Sequence, residues 1–135
     1  MFAVCVNGSW VQHAASYLED ADVSIATVIG FPLGASDSDS KRYETEAAVD
    51  NGVHEIDMVM NLGRFIDGDH QYIVREIRDV VEAAEDRRVK VNLDTGSCHA
   101  ETNAPPTNLD APAPTTSPQP SPRLRIATHP CGDTA

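Results

Sequence analysis

Lysine is nearly missing from this chain of 135 residues: Lys41 and Lys90 are the only two. Ten basic residues stand against 21 acidic ones, a formal net charge of -11, and no basic patch offsets the excess. Nucleic acids and anionic membranes attract Lys and Arg, so neither is expected as a partner. The acidic, Lys-poor composition fits a salt-adapted surface, which loss of thermal stability on adding KCl would contradict. Cys5, Cys98 and Cys131 are an odd number of thiols without a CxxC pair or framework spacing, so nothing points to a disulfide scaffold. Cys98-His99 and His129-Pro130-Cys131 match no standard zinc spacing. No run of about 18 apolar residues exists to span a bilayer, and "MFAVCVNGSW" lacks the basic start and the length of a signal peptide. A cytosolic, reducing location is therefore expected, in which the Asn7-Gly8-Ser9 sequon is idle. The length suits one modest domain and is too short for eight strand-helix units.

What is present alternates strand and helix patterns over the first 96 residues. "FAVCV" (2–6) is a short apolar run, followed by a turn whose Ser9 can cap a helix over 10–18. "VSIATVIGFP" (23–32) is the second strand, stopped by Gly30 and Pro32. The polar loop "GASDSDS" leads to a helix over 40–50 that ends at Asn51-Gly52. A strand follows over 54–60, then an amphipathic helix over 69–85 with Ile73, Ile77, Val80, Val81 and Ala84 on one stripe. "RVKVNLDTG" (88–96) is the fourth strand. After Gly96 the pattern stops: eight of nine prolines lie between Pro105 and Pro130. Such a segment buries too little apolar surface to offset its ordering entropy. The chain therefore divides into a unit over 1–97 and a low-complexity, disordered Pro-rich tail over 98–135.

Within "HEIDMVMN" (54–61) one residue is out of place for a buried strand. Successive side chains point to opposite faces, so Ile56, Met58 and Met60 share an apolar face. Glu55, Asp57, Val59 and Asn61 share the other. A carboxylate buried in mid-strand costs several kcal/mol unless compensated. The polar face is thus expected to look into a site, with Asp57 either catalytic or satisfied by backbone donors. Glu55 reads as a charge at the strand mouth with solvent or an Arg as partner. Gly30, Pro32 and Gly34 read as loop punctuation, and His13, His54 and His70 as surface or helix-packing residues.

"TVIGFPLGA" (27–35) followed by "NGVHEIDMVMNLG" (51–63) resembles deoxyribose-phosphate aldolase, with "AVCVN" (3–7) and "VKVNLDTG" (89–96) similar to flanking strands. The resemblance covers residues 2 to 97, in order. It implies an α/β fold that is part of a TIM (β/α)8 barrel: about four β/α units, the second to fifth strands. It also implies a lyase of the class I aldolase type, acting in deoxyribonucleotide catabolism. The reaction would be cleavage of 2-deoxy-D-ribose 5-phosphate to D-glyceraldehyde 3-phosphate and acetaldehyde through a lysine Schiff base, with no metal or other cofactor. The partners implied are the small sugar phosphate and the aldehyde. Asp57 falls on the family's proton-transferring aspartate, at the C-terminal end of a barrel strand where such folds keep their chemistry. Lys90 and Cys5 match positions near the substrate and are taken as substrate-binding.

The same resemblance exposes what is missing. The family's Schiff-base lysine and its companion lysine lie in KTSTG-like and K-x-x-GG-like motifs of the sixth and seventh strands, and neither motif is here. The expectation is a truncated or frameshifted copy, inactive alone. The alternative is a non-catalytic acidic half-barrel that associates with itself, as a homo-oligomer, or with a complementary fragment, because its end strands leave backbone groups unpaired.

Overall fold

The computed structural model describes residues 2–94 and 125–129. Five parallel strands form one sheet in the order β1-β2-β3-β4-β5. They are β1 (Phe2–Val6), β2 (Val23–Ile29), β3 (Glu55–Val59), β4 (Arg88–Asp94) and β5 (Arg125–His129). Helices join the first four: α1 (Val11–Tyr17) after a 3-10 turn, α2 (Ser38–Asp50), then α3 (Leu62–Ile66) and α4 (His70–Ala83). Parallel neighbours require crossover connections, and the strand-helix alternation read from the sequence supplies them.

Three of the four α-helices start where a short polar side chain takes a first free N–H, whereas α1 starts at Trp10 with no side-chain cap, so the cap expected of Ser9 is not formed. Asp37, Asn61 and Asp69 accept from the backbone N–H of Ser40, Arg64 and Tyr72. On α4, Ile73, Ile77, Val80 and Ala84 are buried, as their spacing predicts. They pack on one face of the sheet against Ile25, Ile29, Ile56, Met58, Val89 and Val91. Burial of each such aliphatic side chain is worth about 1.5–3 kcal/mol, so this face holds the fold together. The in-out alternation of β3 holds from Glu55 to Met58, with Ile56 and Met58 buried among the helices, and ends at Val59, which is buried as well.

Three further expectations need correction. The second strand ends at Ile29 rather than 32, because Gly30 turns into the left-handed region at φ +69° and Gly34 repeats this at +65°. Asn61 does not extend the polar face of β3, since the strand stops at Val59 and the Asn61 side chain caps α3. That short helix was not anticipated. The third concerns the tail. Arg125–His129, within the stretch read as disordered, pairs with β4 as a fifth parallel strand from Lys90↔Arg125 to Asp94↔His129. An open strand edge accepts any segment able to complete its ladder, which composition averaged over a tail does not reveal. The rest of the 98–135 tail, with Cys98, His99 and Cys131, lies outside the described residues.

Candidate active site

The face of the sheet away from the helices carries the polar residues. Parallel register puts Val28, Asp57 and Lys90 in one row across β2, β3 and β4. Cys5, Ala26, Glu55 and Arg88 form the adjacent row. Residues in register share a face, so Asp57 and Lys90 must meet. The Lys90 Nζ lies 3.0 Å from Asp57 Oδ1. The Cys5 thiol points at Asp57 Oδ2 from 4.0 Å. The three residues singled out from the sequence thus come together, although they are drawn from three strands.

Asp57 is mostly shielded, its side chain 15% exposed, whereas that of Lys90 is 39% exposed. The Nζ is close enough to Oδ1 for an ion pair but not aligned for a hydrogen bond, and Oδ1 is buried without a hydrogen-bond partner among the described residues. Backbone donors do not satisfy this oxygen, so the purely structural reading of Asp57 loses its usual support. Burial pushes the Cys5 thiol above its usual pKa, the Asp57 charge pushes it further, and Lys90 pulls it back. The thiol therefore stays protonated and donates toward the carboxylate. The arrangement combines a carboxylate with an open acceptor, an ammonium and a neutral thiol, a set that can take a proton from a bound molecule and return it.

Glu55 has the Arg partner read for it, an ion pair with Arg88 in the next strand. His54 is exposed, and does more than sit on the surface. Its ring Nδ1 accepts from the backbone N–H of Ile25 at 3.0 Å and its own N–H donates to the Ile25 carbonyl, which prolongs the β2–β3 ladder.

Sequence reasoning missed a second charged pair, on the helix side. Lys41 on α2 and Glu76 on α4 are fully buried and meet at 2.7 Å. The remaining Lys41 donors reach the carbonyls of Gly34 at 2.8 Å and Val59 at 2.9 Å. The second Glu76 oxygen accepts from the N–H of Asn61 at 3.1 Å. Burial lowers the Lys41 pKa, and the Glu76 charge opposes that shift. This pair ties α2 and α4 to the end of β3 and to the loop over 30–34, two residues beyond Asp57. It also explains two glycines. A Cβ on Gly30 would lie 2.7 Å from Lys41 Cε, and one on Gly34 would lie 2.1 Å from the Met60 carbonyl oxygen. The available signal was Glu76 itself, three residues after Ile73 and four before Val80, on the apolar stripe of α4.

Among the described residues, no cluster of three His, Cys, Asp or Glu side chains could hold a metal ion, and no helix is long and apolar enough to cross a membrane. No protein-family model matches the chain. Deoxyribose-phosphate aldolase of Clostridium botulinum (strain Okra / Type B1) is 48% identical over 93 residues, which are 69% of this chain and 44% of the relative. The enzyme of the same name from Streptococcus equi subsp. zooepidemicus is 49% identical over 92 residues, 68% of this chain and 42% of the relative. Among solved structures, QR15, an aldolase, superposes with a TM-score of 0.71 at 32% identity, covering 76% of this chain and 45% of its own. The chain spans less than half the length of the curated relatives it matches. Over the matched part, the similarity to deoxyribose-phosphate aldolases stated from the sequence holds, and the parallel strand-helix sheet superposes on part of an aldolase structure.

Proposed function

We propose that residues 2–97 carry the second-to-fifth-strand portion of a class I aldolase site for 2-deoxy-D-ribose 5-phosphate, with the proton-handling carboxylate retained and the nucleophile absent. The carrying observation is Asp57, which faces away from the helices with its Oδ1 ion-paired to Lys90 but holding no aligned hydrogen bond. In this reading Asp57 moves protons as the imine forms and breaks, while Lys90 and Cys5 border the substrate. Neither lysine stands in for the missing one. Lys41 is buried on the helix side with its donors engaged by Glu76, Gly34 and Val59, and Lys90 is held by the carboxylate it neighbours. The chain alone is therefore read as inactive and its location as cytosolic.

Two experiments test this. Borohydride reduction in the presence of acetaldehyde or deoxyribose 5-phosphate is expected to leave no adduct on the chain under conditions that label an intact relative; a stoichiometric adduct on Lys90 contradicts the absence of a nucleophile. Joining residues 1–97 to the remaining strands of an intact relative is expected to give a folded, active aldolase. Asp57→Asn in that chimera lowers kcat by about 100-fold or more if the carboxylate carries the proton. A folded chimera indifferent to the substitution overturns the assignment.

A second reading is favoured by the outer edge of β1, where Phe2 is 82% exposed. A half-barrel with such an edge associates through it, with a second copy or a complementary fragment, and need not catalyse anything.

A further inference from the structure

The described sheet has two outer strands of different kinds. β1 is an uncharged apolar run whose Phe2 and Val4 are exposed, and no strand lies beyond it among the described residues. At the other side β4 is covered by β5, a strand drawn from the far tail. From β1 to β4 each strand pairs in parallel with the next in sequence. The outer edges of β4 and β1 are therefore complementary halves of one parallel pair. Two copies arranged about a twofold axis could join β4 to β1 twice. The product is a ring of eight parallel strands with no open edge, the strand number at which side chains just fill a barrel.

β5 stands in the way. Pro122 and Pro130 bracket the window 123–129, the longest proline-free stretch between Pro105 and Pro130. Proline cannot donate to a ladder, so this window is where the tail can pair fully. It holds Arg123 and Arg125 and no acidic residue, in a chain of net charge -11. Proline placement and register direct this segment to the β4 edge.

We propose that β5 is an edge cap, a tail segment that occupies β4 and competes with β1 of a second copy for it. The chain then persists as a capped monomer, and loss of the cap makes it a twofold dimer. This deepens the association reading above and is independent of the aldolase assignment, since it rests on strand pairing alone.

The test uses the full chain carrying Ile126→Pro with Ala127→Pro, adjacent changes that remove a ladder N–H whichever of the two faces β4. Sedimentation is expected to give the wild type as a monomer at micromolar concentration and the variant at twice the mass. Adding Val4→Pro, which spoils the β1 edge, is expected to return the variant to monomer. Equal masses for wild type and proline variant, or a dimer insensitive to Val4→Pro, overturn the proposal. Should the proline variant lose its far-UV circular dichroism, a second chain decides: Asn92→Cys with Ala127→Cys, the three native cysteines replaced by Ser. Registered partners on adjacent strands lie about 4.8 Å apart, within disulfide range. Oxidation is expected to give a 92–127 disulfide and a chain that remains monomeric at all concentrations. Absence of that disulfide, or dimerisation of the locked chain, also overturns it.

Discussion

Lys41 and Lys90 each face a carboxylate, from opposite sides of the same sheet. On the helix side, Lys41 and Glu76 are fully buried, and their remaining polar atoms reach Gly34, Val59 and Asn61. On the other side, Lys90 is 39% exposed and Asp57 keeps an oxygen without a directed donor. Dry surroundings make the first pair a structural tie whose halves cannot be separated cheaply. Half-open surroundings make the second pair weak in stability and available to chemistry. The same two side-chain types thus hold the strand end in one place and equip it in the other.

Breaking the buried tie is expected to have the largest effect. Lys41→Met leaves Glu76 charged and alone, and should cost about 3–5 kcal/mol in urea denaturation. Lys41→Met with Glu76→Leu should recover most of that loss; a double variant no better than the single one contradicts the tie. The pH dependence has a definite sign. Because the native Lys41 pKa is lowered, the unfolded chain holds that proton to higher pH. The Lys41 contribution is therefore smallest at neutral pH and grows as pH rises toward the ordinary lysine range. The stability difference between wild type and Lys41→Met should widen accordingly in alkaline buffer, and a difference that shrinks refutes the sign.

Next in size is the loop under the tie. Gly34→Ala sets a Cβ against the Met60 carbonyl at a left-handed φ, and should cost about 1–3 kcal/mol by thermal melting. A neutral outcome would mean that the loop can move away from β3. On the open face, Asp57→Asn should change stability by about 1 kcal/mol or less, an effect that added salt diminishes. A loss comparable to that of Lys41→Met would erase the contrast between the two pairs.

The finest probe is the Cys5 thiol, with Cys98 and Cys131 replaced by Ser. Asp57 raises its pKa and Lys90 lowers it. Asp57→Asn should shift the midpoint of iodoacetamide alkylation against pH downward, and Lys90→Met upward. Shifts in the reverse directions would show that the thiol does not sense this cluster.

Strand and helix order was legible because each element carries its own period, and the apolar faces of β3 and α4 were read residue by residue for the same reason. Asp57, Lys90 and Cys5 were legible as candidates, through the out-of-place carboxylate and the resemblance of their strands to aldolase strands. Their meeting was not, since register between strands far apart in sequence is a property of the assembled sheet. The Lys41–Glu76 tie escaped notice because α2 is polar along most of its length. Burial of its lysine follows from where α4 and the 30–34 loop pack. β5 escaped because the composition of residues 98–135 says nothing about which few of them complete an edge.

Local chemistry in the chain therefore settled which segments become strands and helices, which faces are apolar, and that a carboxylate would sit in mid-strand. Tertiary structure alone decided which charges share a row, which lysine is dry and which is wet, and what covers the last strand. The physical reason is range: backbone propensity and side-chain periodicity act over a few neighbouring residues, whereas solvent exclusion and strand registry depend on parts of the chain that only folding brings within contact.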